Sequence, residues 1–376
     1  MFILGLTLIN MYLKIACNMK ILKKIVKAIL TIIAVMVISF IGLIVYAVIS
    51  DYKPKDKELI SQSDRPSSLK DSHIFSLLTW NIGYAGLDKD MDFFMDGGTK
   101  VITPENRSLE NISNIGNFLL KNDTIDFILI QEIDRNSKRS YRIDQYEKIA
   151  GILSGYHPYF AINYKVFFVP VPPANPMGKV LSGIAIYSKF IPESSARYSL
   201  PGHYGFPTQL FQLDRCFMVN RYRTENGKEL VLINTHNEAF DKSGNIRKAQ
   251  MVRLREFVLN EYRSGNYVIT GGDWNQYPPD FKPAFTGNKG FTGQIGNFNL
   301  VGLESDYMPG EWKWIYDPAT PSFRTVLAAY NPATTPTSVC DIFLISPNIE
   351  SVSVKCHHLG FANSDHNPVI MKVKLK

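Results

Sequence analysis

Ala28 to Ser50 is a run of 23 uncharged, mostly aliphatic residues. As a helix rising roughly 1.5 Å per residue it spans about 34 Å, enough for a bilayer core of roughly 30 Å. A secretory signal has a shorter apolar stretch, about 7–15 residues, and a small-x-small cleavage site. Val45-Tyr46-Ala47-Val48-Ile49-Ser50 offers no such site. The pattern predicts an uncleaved transmembrane anchor over residues 28–50, preceded by a short lead over 1–27. Asp51 to Ser72 is polar, densely charged and holds two prolines, which reads as a linker. Residues 73–376 then fit one large domain.

Within that domain, short apolar runs recur as expected of strands. They are Ile74–Trp80, Phe127–Ile130, Ile184–Tyr187, Phe211–Arg221, Leu230–Asn234, Tyr267–Thr270, Ile342–Ile345, Val352–Lys355 and Val369–Val373. Helical spacing appears over Pro104–Leu120, Asp144–Leu153 and Asn245–Tyr262. In the last, Ile246, Ala249, Val252, Leu254 and Phe257 alternate with Arg and Lys as on an amphipathic helix. Many strands follow one another without a helix between, so the pattern predicts a mixed sheet sandwich covered by helices rather than a Rossmann fold. Tyr164–Pro176, apolar with four prolines, reads as an edge or loop segment, either packed on its own domain or forming a lip that touches membrane or substrate.

Charge sharpens this division. The chain has 41 Lys and Arg against 34 Asp and Glu, but five of the lysines (14, 20, 23, 24 and 27) lie in the first 50 residues, which hold no acid. Without them 36 bases face 34 acids, so the rest offers no bulk attraction for a polyanion. Lys53, Lys55, Lys57 and Arg65 follow the apolar run closely, so the flanking charges nearly balance. The default orientation keeps the short N-terminus inside and the large domain outside the cytoplasm. Cys17, Cys216, Cys340 and Cys356 show no CxxC spacing, which argues against a disulfide framework or a cysteine zinc site and leaves open one Cys216–Cys356 bridge.

Six polar clusters close or open these apolar runs. They are Asn81, Gln131-Glu132, His236, Asp273 with Asn275, Asp341, and Asp365-His366-Asn367. If the strands are neighbours, such residues converge on one rim. Glu132 and Asp341 offer hard carboxylate oxygens suited to Mg²⁺, and Asn81 a neutral amide. Asp273 suits the orientation or deprotonation of a water. His236 and His366 suit donation to phosphate oxygens, and Asp365 suits fixing an imidazole tautomer. Phosphoryl chemistry needs this combination.

The order of these clusters resembles the endonuclease/exonuclease/phosphatase superfamily, which includes pancreatic-type deoxyribonucleases and neutral sphingomyelinases. The matching stretches are TWN at Thr79–Asn81, QE at Gln131–Glu132, NTH at Asn234–His236, GDWN at Gly272–Asn275, CDIFLIS from Cys340, and SDHNPV at Ser364–Val369. The resemblance implies an α+β fold, a four-layer αββα sandwich of deoxyribonuclease type, behind the transmembrane helix. It also implies Mg²⁺, or Mn²⁺, held mainly by Glu132 with Asn81 and Asp341 nearby, and Asp365 also within reach of the metal. Asp273 would orient or activate the water, and Asn275 would hold the phosphate. Asn81 would contact the phosphate, His236 would contact the phosphate or assist the leaving group, and His366, paired with an acid, would be the second histidine. The base role stays open between Asp273 and His366. Val339 stands where some relatives carry Arg, and no Arg follows Cys340-Asp341, which argues against an inositol-phosphate 5-phosphatase.

The expected function is therefore a membrane-anchored, divalent-metal-dependent hydrolase of a phosphodiester. The tether and near-zero charge favour a lipid headgroup or small phosphodiester slightly over DNA or RNA, and an inactive binding module with the same sandwich is the rival of another class. Asn275–Val339, long and rich in Gly, Pro and aromatics, is the segment expected to set substrate choice.

Overall fold

The computed structural model describes residues 2–282, 293–295 and 298–376, in two units, Met1–Asp51 and Tyr52–Lys376. In the first, α1 (Phe2–Ser50) is one helix, so the expected lead and anchor are continuous. Its Met11–Ser50 portion is long and apolar enough to cross a membrane.

The second unit is built on two sheets. One runs in the order β13–β14–β3–β4–β6–β5, with β3 Ile74–Asn81, β4 Phe127–Asp134, β5 His157–Val169, β6 Gly178–Ser188, β13 Ile349–Cys356 and β14 Val369–Leu375. The other runs β1–β7–β8–β9–β10–β12–β11, with β1 Lys57–Gln62, β7 Ser194–Ser199, β8 Cys216–Thr224, β9 Glu229–His236, β10 Tyr267–Asp273, β11 Lys313–Ile315 and β12 Asp341–Ile345. A two-residue strand, β2 (Ser68–Leu69), adds to β8.

Alternation along the strands makes the layers. On β3, Leu77 joins the core between the sheets, with Leu129, Ile186, Met218, Leu232, Ile269 and Phe343. Its neighbour Leu78 faces the opposite way, onto Ile112, Ile115 and Leu119 of α2 (Glu105–Lys121) and Ile149 of α3 (Gln145–Ile152). On the far side Val231, Ile233 and Val268 pack under Met251, Leu254 and Val258 of α4 (Asn245–Arg263). The result is the four-layer αββα sandwich.

The linker expected over 51–72 does not stay free. β1 pairs antiparallel with β7, Ser67 N–H donates to the Ile191 carbonyl at 2.8 Å, and Leu69 is fully buried in the central core. Charged residues hide this strand in the sequence: Lys57 and Glu58 suit an edge, where an exposed ladder needs protection from further pairing. Tyr164–Pro176 continues β5 at the edge of its sheet, and Tyr164, Val166 and Val169 are buried against their own domain. Cys216, Cys340 and Cys356 are buried free thiols, so the Cys216–Cys356 bridge is not formed. Part of Asn275–Val339 lies outside the described residues. Of the rest, β11 returns to the sheet beside β12, and Trp314 meets Trp274 edge to face at 5.0 Å.

Candidate functional site

Strand direction brings the polar clusters together. β3 and β4 are parallel, joined by α2, with Asn81 opposite Gln131. β9 and β10 are parallel, joined by α4, with His236 opposite Asp273. A parallel pair needs a crossover connection, so its two C-terminal ends share one edge. β12 runs the other way and begins at that edge, Asp341 opposite Asp273. β14 likewise runs antiparallel to β3, which places Asp365 and His366, just before it, on the same rim.

The backbone there is specialised. Glu132 (φ 50°) and Asn275 (φ 51°) adopt the left-handed conformation that side chains normally avoid, and the β4–β6 register shifts between Ile130 and Ile133. A Cβ on Gly272 would lie 2.0 Å from the Thr235 carbonyl oxygen, so only glycine lets β10 come this close to β9.

Two motif residues tie the sheets rather than face the site. Gln131 Nε2 donates to Asn234 Oδ1 at 2.7 Å, and Asn234 Nδ2 donates to the carbonyls of Ile130 (3.0 Å) and Ala185 (2.9 Å). A second tie reaches Asp273 and Glu132. Asn81 Nδ2 donates to Asp273 Oδ2 at 2.9 Å and to Glu132 Oε1 at 3.2 Å, while its Oδ1 accepts the Gly83 N–H at 2.9 Å. Asp273 Oδ1 accepts the Asn275 N–H at 2.9 Å, and Asn275 Nδ2 donates to the Asn237 carbonyl at 2.9 Å.

Two imidazoles flank Asp273. His236 Nε2 lies 3.5 Å from Asp273 Oδ2 and 3.8 Å from Glu132 Oε1, and its Nδ1 has no hydrogen-bond partner among the described residues. Burial, then the nearby Arg215 charge, pull its pKa down to about 3. His366 Nε2 lies 3.8 Å from Asp273 Oδ2, and its Nδ1 pairs with Asp341 Oδ2 at 2.8 Å. Burial opposes its charge, but the carboxylates of Asp341, Asp273 and Asp365 outweigh burial and raise it to about 10.

Glu132, His236, Asp273, Asn275, Asp365 and His366 line one cavity of about 120 Å³, and the expected residues Asn81 and Asp341 stand behind it. Asp341 is fully buried, with Oδ2 paired to His366 Nδ1 at 2.8 Å and Oδ1 without a hydrogen-bond partner among the described residues. Four lining residues escape a reading of the sequence: Asp96, Tyr84, Arg139 and Arg215. Asp96 closes a one-turn 3-10 helix, Phe94–Asp96, outside the strands whose ends mark the other site residues. Arg139 lies five residues after Asp134, to which it binds, and that short spacing is a usable signal.

The donor chemistry suits a hard divalent cation. Asp365 is raised to about 7, by burial and then by Glu132 after the opposing pull of His366. Asp96 is raised to about 6, by burial and then by Glu132 after an opposing hydrogen bond from the Val326 N–H. Asp365, Asp96 and Glu132 line the one cavity as an all-oxygen set, and a cation there would offset their mutual repulsion. A second grouping, Asp273, Cys340 and His366, has ligand atoms within 4.8 Å of one another. Burial holds the Cys340 thiol protonated and Asp341 occupies His366, so this grouping does not suit Mg²⁺.

Solved structures share this fold. An endonuclease/exonuclease/phosphatase from Beutenbergia cavernae DSM 12333 superposes with a TM-score of 0.52 at 17% identity, over 80% of this chain and 72% of that one. The human Nocturnin catalytic domain, with bound sulfate, gives 0.51 at 15% identity over 84% of this chain and 100% of that one. ANGEL2, a 2′,3′-cyclic phosphatase in complex with adenosine-2′,3′-vanadate, gives 0.52 at 15% over 86% and 99%. No curated protein sequence matches significantly. The model of the Endonuclease/Exonuclease/phosphatase family matches residues 78–366, from the middle of β3 to the second histidine of the site. The chain belongs to that family.

Proposed function

We propose that this protein is a divalent-metal-dependent phosphodiesterase held at a membrane by α1, with its catalytic domain outside the cytoplasm. Family membership makes phosphoester hydrolysis the chemistry. The observation that carries the finer reading is the pairing, on one cavity, of an oxygen donor set with one neutral and one cationic imidazole.

Glu132 and Asp365 would hold Mg²⁺ or Mn²⁺, with Asp96 lining the same cavity. When bound, the cation supplies positive charge to a phosphate oxygen. Asp273, fixed by Asn81 and the Asn275 N–H, orients the attacking water and takes its proton. His366 is protonated at neutral pH, so it donates to a phosphate oxygen rather than acting as the base, and Asp341 holds its ring by Nδ1. His236, neutral, contacts the phosphate through Nε2, and Asn275 completes the phosphate cradle. The remaining wall combines Leu87, Met177 and Leu213 with Arg139 and Arg215 and encloses a recess of only about 120 Å³, too small for a strand. That favours a lipid headgroup or other small phosphodiester over a nucleic-acid strand, which draws on basic grooves and stacking platforms.

Glu132→Ala and His366→Ala should each slow hydrolysis of bis-p-nitrophenyl phosphate by about 10²–10³-fold, as loss of preorganised charge stabilisation does, and EDTA should abolish it. Full turnover in EDTA or in either variant would overturn the reading. Parallel assays on sphingomyelin vesicles, plasmid DNA and RNA, with Glu132→Ala as blank, decide the substrate. Mg²⁺-dependent plasmid nicking without release from lipid would make the chain a nuclease.

A further inference from the structure

The mechanism leaves Arg139 and Arg215 unused, yet both line the reaction cavity with only 7% and 6% of their surface exposed. Arginine is seldom buried unless paired, and each is clamped. Arg139 Nε and Nη2 donate to the two carboxylate oxygens of Asp134 at 3.1 and 3.0 Å, and its guanidinium lies 3.7 Å from the centre of the Tyr84 ring. Ser140 Oγ donates to the same carboxylate at 2.9 Å. Arg215 Nε donates to Glu238 Oε2 at 3.4 Å, and its Nη1 to the His236 carbonyl at 3.5 Å. These bonds use two of the five N–H groups each guanidinium carries, leaving donors for a ligand. Tyr84 lines the same cavity, is 2% exposed, and its hydroxyl has no hydrogen-bond partner among the described residues.

Burying two cations is costly, and their carboxylate partners offset that cost. The pairing leaves N–H donors of two oriented guanidinium groups on the cavity that would hold the scissile phosphate, and an orphaned hydroxyl on the ring that one of them covers. Fixed guanidinium forks of this kind are suited to carboxylate and phosphate oxygens. We propose that Arg139, Arg215 and Tyr84 form a subsite for a second anionic group of the substrate. That group is a carboxylate or phosphate on the part of the molecule beyond the scissile phosphate, with Met177 and Leu213 covering the apolar stretch between. The proposal rests on the phosphodiesterase reading and narrows its substrate class to small phosphoesters with two anionic groups.

The test is calorimetric and independent of turnover. The full-length protein in detergent with Mg²⁺ is titrated with 4-phosphonobutyrate and with pentylphosphonate, which lacks the second anion. 4-Phosphonobutyrate should bind at least about tenfold more tightly, because charge-assisted hydrogen bonds to oriented guanidinium groups are strong. Arg139→Gln and Arg215→Gln should each bring that advantage below about twofold, and Tyr84→Phe should reduce it. If Arg139→Gln fails to fold, the other two variants carry the test, since neither removes the Asp134–Arg139 pair. Equal binding of the two phosphonates by the unmodified protein, or an advantage kept in every folded variant, would overturn the subsite alone. Failure of both phosphonates to bind would overturn the subsite together with the phosphodiesterase reading.

Discussion

Two buried imidazoles stand on opposite sides of one carboxylate, and they differ by far more than their distances do. His236 and His366 place Nε2 at 3.5 and 3.8 Å from the same Asp273 oxygen. One is pulled down to about 3 and the other up to about 10. Burial disfavours charge on both, so the neighbours decide. His236 has Arg215 beside it and an Nδ1 with no partner among the described residues. His366 has Asp341 at 2.8 Å on Nδ1, with Asp273 and Asp365 close by. The same side chain is thus biased towards the neutral form in one place and towards the cation in the other, by neighbours far apart in sequence.

The sharpest way to break this contrast is Asp341→Asn. It removes the main support of the imidazolium, so turnover should fall by about 10³-fold, as it does when the carboxylate behind a catalytic histidine is lost. The proposed mechanism needs His366 protonated. Its lowered pKa should therefore bring a new alkaline limb into the kcat/KM profile, with activity falling as pH rises through about 6.5–8. A profile of unchanged shape would show that His366 is not the proton donor to the phosphate. His236→Gln should cost less, about 10–100-fold, since it removes one neutral donor. Its profile should keep its shape between pH 5 and 8, because His236 does not titrate there.

The smallest effect concerns Asp365, one of the carboxylates that supports His366. Its folded pKa is about 7, above the usual carboxylate value of 3.8, so the folded state keeps a proton that the unfolded chain releases. In metal-free protein this group's contribution is therefore favourable near pH 4 and is lost as pH rises to about 7. Relative to wild type, Asp365→Asn in EDTA should gain a few degrees of Tm between pH 4.5 and 7.5, read by circular dichroism. A Tm difference that stays flat across this range would remove Asp365 from the crowded cavity.

Much of this is legible in the sequence, for identifiable reasons. The strands of the inner core announce themselves because alternation along β3 and β9 buries both faces, leaving continuous apolar runs. Polar residues at the ends of those runs mark the rim, and Glu132, His236, Asp273, Asn275, Asp365 and His366 do line one cavity. β1 reads as linker because an edge strand carries charge. Asp341 reads as a rim carboxylate, and the structure adds that its Oδ2 is taken by His366 Nδ1 at 2.8 Å. Residue type alone does not say which way a buried carboxylate points.

By itself the sequence determined the apolar helix, the two-layered strand content, and an ordered set of oxygen and imidazole donors at strand ends, because these depend on local periodicity and residue chemistry. Only the tertiary structure decided which histidine is pushed towards charge and which away from it, and it placed Asp96, Tyr84, Arg139 and Arg215 on one cavity, Tyr84 beside a histidine 282 positions away. Proton affinity and cavity shape are sums over neighbours in space. Contacts such as Asn81 with Asp273, which cross from one sheet to the other, are absent until both parallel crossovers have closed.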